Sequence, residues 1–102
     1  MKSSDKVLLD LNNPVFQDDL FSLGKDDAVR VIGALRKIKK TSWPEVYKDR
    51  GLRWELVQSM TGQDGMRLYT VRISRGFRAL VYRDGQFMRF LSLHPDHNSA
   101  YK

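Results

Sequence analysis

The chain has 102 residues, 18 Lys+Arg against 12 Asp+Glu, a formal charge of +6 and 41% hydrophobic residues. That is enough apolar material for one modest core, and too much for a disordered segment. It has no cysteine, which excludes a disulfide framework, a thiolate nucleophile and a zinc knuckle. No apolar run approaches the roughly 20 residues of a membrane span. Only a short apolar stretch follows Met1-Lys2-Ser3-Ser4-Asp5-Lys6, too little for a signal-peptide core. The expectation is a single basic domain over residues 1–102, cytoplasmic and without a membrane partner.

In chain order, Val7-Leu8-Leu9-Asp10-Leu11 is a short strand or an apolar lead-in. Asn12-Asn13-Pro14 reads as a helix start, because Asn13 is a good cap and Pro14 suits the first helical position, whose N–H has no partner anyway. Phe16, Leu20 and Leu23 follow at helical spacing, and Gly24 is expected to close the helix in a left-handed conformation. Asp26 is expected to cap a second helix with Ala28, Val31, Ile32, Leu35 and Ile38 as its apolar stripe. Arg36, Lys37, Lys39 and Lys40 crowd its last turn, where cations oppose the negative dipole end. Ser42-Trp43-Pro44-Glu45 suggests one more helical turn.

After Gly51 the pattern turns to strands. Leu52 to Val57 alternates, and Met66–Ser74, Phe77–Arg83 and Phe87–Leu93 are β-rich, separated by Gln63-Asp64-Gly65, Arg75-Gly76 and Asp84-Gly85. Asp-Gly between alternating runs is a strong hairpin signal, read here with positive φ at both central positions. The expected class is α+β: an N-terminal αα-hairpin packed on a four-stranded antiparallel β-meander.

Alternation places Tyr69, Val71 and Ile73 on one face, with Phe77, Ala79 and Val81 from the next strand. Leu68, Thr70 and Arg72 share the other face with Arg78, Leu80 and Tyr82. Two short helices cover one face, so the mixed face is wet or covered by something else. Residues 66–83 hold Arg67, Arg72, Arg75, Arg78 and Arg83 and no acid. Arg72 and Arg78 have the same parity on consecutive strands; whether they are adjacent depends on a register the sequence leaves open. The cluster reads either as solubilising charge that guards the sheet or as an anion site suited to phosphate through the guanidinium fork.

Both histidines lie in His94-Pro95-Asp96-His97-Asn98-Ser99-Ala100-Tyr101, beyond the last strand. His94, His97 and Tyr101 form a dense set of proton donors and acceptors for acid–base work. The alternatives are a structural cap and a metal site, the latter short of a third strong ligand. Neither a metal nor a cofactor is expected.

The segments Gly-Leu-x-Trp-Glu-Leu (Gly51 to Leu56), Tyr-x-Val-Arg-Ile (Tyr69 to Ile73), Gly-Phe-Arg-Ala-Leu-Val-Tyr (Gly76 to Tyr82) and the closing Leu-x-Leu-His follow two helices. Together they resemble the RelE/ParE toxin superfamily of type II toxin–antitoxin modules, from about Asn13 to Tyr101. The ending His-Pro-Asp-His-x-x-Ala-Tyr also looks like relatives of this fold fused to some superfamily I helicases. The RelE branch, favoured here, implies a ribosome-dependent mRNA endonuclease and the ParE branch a DNA gyrase inhibitor. A third reading is a non-catalytic nucleic-acid-binding domain. The resemblance puts Arg78 on the scissile phosphate, Arg72 beside it, and Tyr101, His94 or His97 in proton transfer. Thr70 stands where some members have lysine, and the C-terminal helix is nearly absent. The implied partners are a cognate antitoxin protein, the ribosome and mRNA, with the toxin a monomer or dimer in the toxin–antitoxin complex. Arg36, Lys37, Lys39, Lys40, Arg53, Arg67, Arg75 and Arg83 are the candidate RNA-binding residues, with a solvated helix face as the alternative for the lysine cluster.

Overall fold

Asn13 opens the first helix as its side chain predicts: Oδ1 accepts from the backbone N–H groups of Val15 (2.8 Å) and Phe16 (3.4 Å), with Pro14 in the first turn. The computed structural model describes residues 5–62 and 65–95. It contains strand β1 (Leu8–Asp10), helices α1 (Pro14–Phe21), α2 (Lys25–Lys39) and α3 (Trp43–Lys48), then strands β2 (Glu55–Thr61), β3 (Arg67–Ser74), β4 (Phe77–Asp84) and β5 (Phe87–His94). The α+β class and the four-strand meander β2–β5 are as expected. The sheet differs in having a fifth strand: its order is β1-β5-β4-β3-β2, and β1 pairs with β5 in parallel, Leu8 beside Phe87 and Asp10 beside Arg89. The helical layer also has a third member. α3 is held by a capping box, in which Ser42 Oγ accepts from Glu45 N and Glu45 Oε1 accepts from Ser42 N.

Four local expectations are corrected. Gly24 is extended (φ −69°) and is the N-cap of α2, so neither a left-handed stop nor an Asp26 cap is used. Asp26 and Asp27 lie in the first turn of α2 instead, where carboxylates meet the positive dipole end. In the last hairpin Asp84 is still in β4, paired with Phe87, and the loop is Gly85-Gln86. Only Gly85 has positive φ (62°) there, as the first position of a type II′ turn requires. Ile32 is exposed and Ala34 takes its place in the α2 seam.

All three helices pack on one face of the sheet. The core joins Phe16, Val31, Leu35, Ile38, Trp43 and Val46 from the helices to Val71, Phe77, Ala79, Val81, Met88, Phe90 and Leu93 from the strands. Phe77, Ala79 and Val81 are buried as alternation predicts, and Tyr69 and Ile73 pack partly against them. Leu68 departs from the pattern: it is buried although its parity is that of Arg72. The chain between β2 and β3 folds back there, Gly62 N donating to Met66 O at 2.8 Å, and Gly62 lies close against Leu68.

β1 is tied down by charge as well as by its ladder. Asp10 and Arg89 form an ion pair, and Arg89 Nε donates to Asp84 Oδ2 at 3.0 Å. The backbone N–H of Asn12, with Arg89 in support, holds the Asp10 carboxyl below its usual range. Asp49 is lowered in the same way by the N–H of Leu52 and by Lys37. A depressed folded pKa stabilises the fold above the unfolded value, about 4, and that contribution is lost as pH falls through the folded value. Asp10→Asn should therefore flatten the acid side of the stability curve. Urea denaturation midpoints compared at pH 6 and pH 3 check this: the gap between the two is expected to be smaller in the variant than in the parent chain.

Candidate functional site: an arginine–histidine row on the open face of the sheet

The register that the sequence left open is settled by the strand pairs. Arg72 stands directly opposite Arg78, and Arg78 directly opposite His94. Directly opposed residues of an antiparallel pair point to the same face with Cβ atoms about 4.5–5.5 Å apart. The three side chains thus form a row across β3, β4 and β5, on the face that carries no helix. Beside it runs a second row, Glu55, Thr70, Leu80 and Ser92, from the pairs Glu55–Thr70, Thr70–Leu80 and Leu80–Ser92.

His94 reaches this face through a β-bulge. Leu80 pairs with Ser92 but Val81 pairs with Phe90, leaving Leu91 as an extra residue in β5. Without it, strict alternation from the buried Met88 and Phe90 would send Ser92 and His94 into the core. With it, Leu93 is buried and His94 is exposed. The bulged stretch is anchored from behind, because Leu93 N donates to Asp19 Oδ2 of α1 at 2.9 Å. In front, Ser92 Oγ and His94 Nε2 share a hydrogen bond of 2.8 Å.

The row is strongly cationic. Arg72 makes no side-chain hydrogen bond or ion pair among the described residues. Arg78 has Glu55 Oε1 3.6 Å from one terminal nitrogen, and the same carboxylate takes Arg53 Nε at 3.2 Å through Oε2. Both Glu55 and Arg78 are close to half exposed, so the contact is worth about 0–1 kcal/mol and an incoming phosphate competes with it readily. Arg53 holds its place at the entrance to β2 with a left-handed backbone, φ 52°, supported by Arg53 N donating to Asp49 O at 3.1 Å. Two guanidiniums side by side repel each other, and an anion between them removes that repulsion. The chemistry on offer is phosphate binding next to an oriented imidazole.

The other sequence-predicted residues fall into three places. Arg75 is exposed in the β3–β4 turn at the same end of the sheet. Arg36, Lys37 and Lys39 are on α2 and Lys40 is its C-cap, in the layer behind the sheet, with Lys37 paired to Asp49 at 3.3 Å; they do not join the row. Arg67 and Arg83 are at the opposite end of their strands. Arg83 has the parity of Val81 and so faces the helices, its guanidinium 4.3 Å above the Trp43 ring and donating to Tyr47 Oη at 2.7 Å. It therefore lies away from the Arg72–Arg78–His94 row. His97 and Tyr101 lie outside the described residues. Glu55, Ser92 and Asp19 were not anticipated. Glu55 alone left a trace in the sequence, as the acid of the Trp-Glu-Leu strand.

No protein-family model matches the chain, and no curated protein matches it. A solved structure does: archaeal RelE in complex with RelB, from Pyrococcus horikoshii OT3. It shares 16% sequence identity, covers 93% of this chain and 98% of that one, and superposes with a TM-score of 0.57. The chain has the fold of archaeal RelE. The expectation of a RelE-like fold is thus borne out by three-dimensional likeness over 93% of the chain. The arginine–histidine row lies on the helix-free face of that RelE-like sheet. No described helix is long and apolar enough to cross a membrane.

Proposed function

We propose that the chain is the toxin of a toxin–antitoxin module and that it cleaves mRNA on the ribosome. The observation that carries this reading is the cross-strand row Arg72–Arg78–His94, two phosphate-binding forks beside an acid–base group on one open face. The RelE-like fold supports the same reading.

RNA supplies its own nucleophile. The 2′-oxygen attacks the adjacent phosphorus, its proton passes to a base, the P–O5′ bond breaks, and the leaving 5′-oxygen takes a proton from an acid. The products are a 2′,3′-cyclic phosphate and a 5′-hydroxyl. Arg78 and Arg72 hold the phosphate and stabilise the charge that builds on its oxygens, where preorganised donors act most strongly. His94 is one of the two proton-transfer groups, with its ring steered by Ser92. His97 and Tyr101 are the candidates for the other. Arg53 and Arg75 flank the path of the strand, and the α2 cations offer a separate footing on ribosomal RNA, with steep salt dependence. The partner that restrains the toxin is a protein antitoxin, as RelB accompanies the archaeal RelE.

Inducible expression in bacteria with pulse labelling of protein and DNA synthesis tests the reading. Protein synthesis is expected to stop within minutes while DNA synthesis continues. Arrest of DNA synthesis with translation intact would replace the nuclease by a gyrase inhibitor. Normal labelling of both would leave only a nucleic-acid-binding domain.

A further inference from the structure

The helix-covered side of the sheet has an aromatic cavity that the proposed chemistry does not use. It lies beside the β4–β5 turn, has a volume of about 390 Å³, and is lined by Tyr47, Trp54, Met66, Arg67, Tyr69 and Arg83. Its volume falls in the range of small-molecule sites. The walls are built from rings: Trp54 stacks on Tyr69 with centroids 4.4 Å apart, and Tyr47 leans on Trp54 at 5.8 Å. Trp43 lies behind, edge-on to Trp54 at 5.3 Å. Arg83 stiffens the rim through its Trp43 and Tyr47 contacts and a 2.8 Å bond to Gly85 O.

A purely structural cluster would hide these rings. Trp43 does so, but Tyr47 is 52% exposed and adds little to the core. Arg67 is exposed, and among the described residues it has no ion pair and no carboxylate lines the cavity. A flat exposed ring next to an exposed guanidinium fits one ligand chemistry well, a nucleobase with its phosphate. Every base offers a π-face to an aromatic side chain, and arginine adds both stacking and charge.

We infer that this cavity is a nucleobase-stacking subsite: a base of single-stranded RNA lies against the Tyr47 ring, and an adjoining phosphate meets Arg67. The choice of RNA as ligand rests on the function proposed above. Arg67 and Arg72 are five positions apart on β3, about 16 Å, and of opposite parity. One RNA strand reaches both by crossing the edge strand β2, so the subsite takes a nucleotide a few positions from the cut.

The test uses the full chain and 2′-O-methyl hexauridylate, which has no free 2′-OH and is not cleaved. Trp54 lines the cavity and Trp43 packs edge-on behind it, so tryptophan fluorescence reports occupancy. Saturable quenching is expected. Tyr47→Ala should weaken binding about tenfold, whereas Tyr47→Phe, which keeps the ring and loses only the hydroxyl, should stay within about twofold. Arg67→Ala should lower the slope of log K against log salt by about 0.7. Binding unchanged in Tyr47→Ala would overturn the subsite, as would an equal loss in Tyr47→Phe. Quenching by an acidic peptide in place of the oligonucleotide would also overturn it, in favour of a protein ligand. Failure of the two proposals separates cleanly. If expression of the chain leaves translation running but the Tyr47 series behaves as stated, the nuclease reading falls and the subsite stands. If Arg78-dependent cleavage is found and Tyr47→Ala quenches normally, the subsite alone falls.

Discussion

Alanine at position 78 is expected to lower the proposed ribosome-dependent mRNA cleavage by about 10²–10³-fold, the loss typical of one preorganised donor at a developing oxyanion. Translation arrest in cells should disappear with it, while the circular-dichroism melt stays where it was. The fold has little to lose at this site. Arg78 is close to half exposed, and its ionic partner Glu55 is a surface contact at 3.6 Å. It also stands opposite a second arginine, Arg72, and like charges directly opposed on a sheet are destabilising. Truncation removes that repulsion together with the weak Glu55 contact, so the two changes offset and the melt is expected to stay in place. Arg78→Lys separates charge from geometry: it keeps the cation but loses the planar fork, and an intermediate rate is expected. Undiminished cleavage in the alanine variant would take Arg78 out of the site and with it the proposed role of the row.

Trp43→Ala is expected to cost about 3–5 kcal/mol of stability, the usual range for removing a buried large aromatic. Domains of this kind hold only about 5–15 kcal/mol in total, so the variant should be marginal or unfolded at 37 °C. Trp43 is 1% exposed, and three different parts of the chain lean on it. Its Nε1 donates to Gln86 O at 2.9 Å in the β4–β5 turn, Arg83 lies over its ring, and Trp54 and Tyr47 pack against it. Trp43→Phe keeps most of the apolar contact but leaves the Gln86 carbonyl without this donor, so a smaller loss is expected. Urea denaturation measures both. The two predictions are complementary: activity in the Trp43 variant should fall with the folded fraction, whereas in Arg78→Ala it falls in a fully folded protein.

How far the sequence could be read depended on whether its signal was local. The two faces of β3 and β4 were legible because alternation is strict from Phe77 to Val81, and the Asn13 cap and the α2 stripe are short-range patterns. The side on which Arg83 lies was also legible, since it continues the Phe77–Ala79–Val81 parity; that its guanidinium lies over an indole ring was not. β1 was ambiguous because three residues carry no period, and its parallel partner is Phe87–Arg89 at the other end of the chain. His94 depended on the bulge at Leu91. One extra residue reverses the face of everything after it, and nothing in Phe87–His94 announces where it falls. The pairing of Arg72 with Arg78 was stated as a question of register, which side-chain patterning on two mixed strands does not fix. Glu55 and Ser92 became visible only once that register placed them beside the row.

The place of β5 in the sheet bears on synthesis. It is the last described strand to leave the ribosome, yet it must slot between β4 and β1, and its Arg89 meets Asp10 across a sequence separation of 79 residues. Long-range closures of this kind come late, because the loop entropy must be met before the contacts form. A nascent chain halted before β5 has an open sheet, no imidazole at position 94 and no seat for its first strand. A fragment ending before β5 is therefore expected to lack the proposed cleavage, because the row on the open face is completed only by this last described strand.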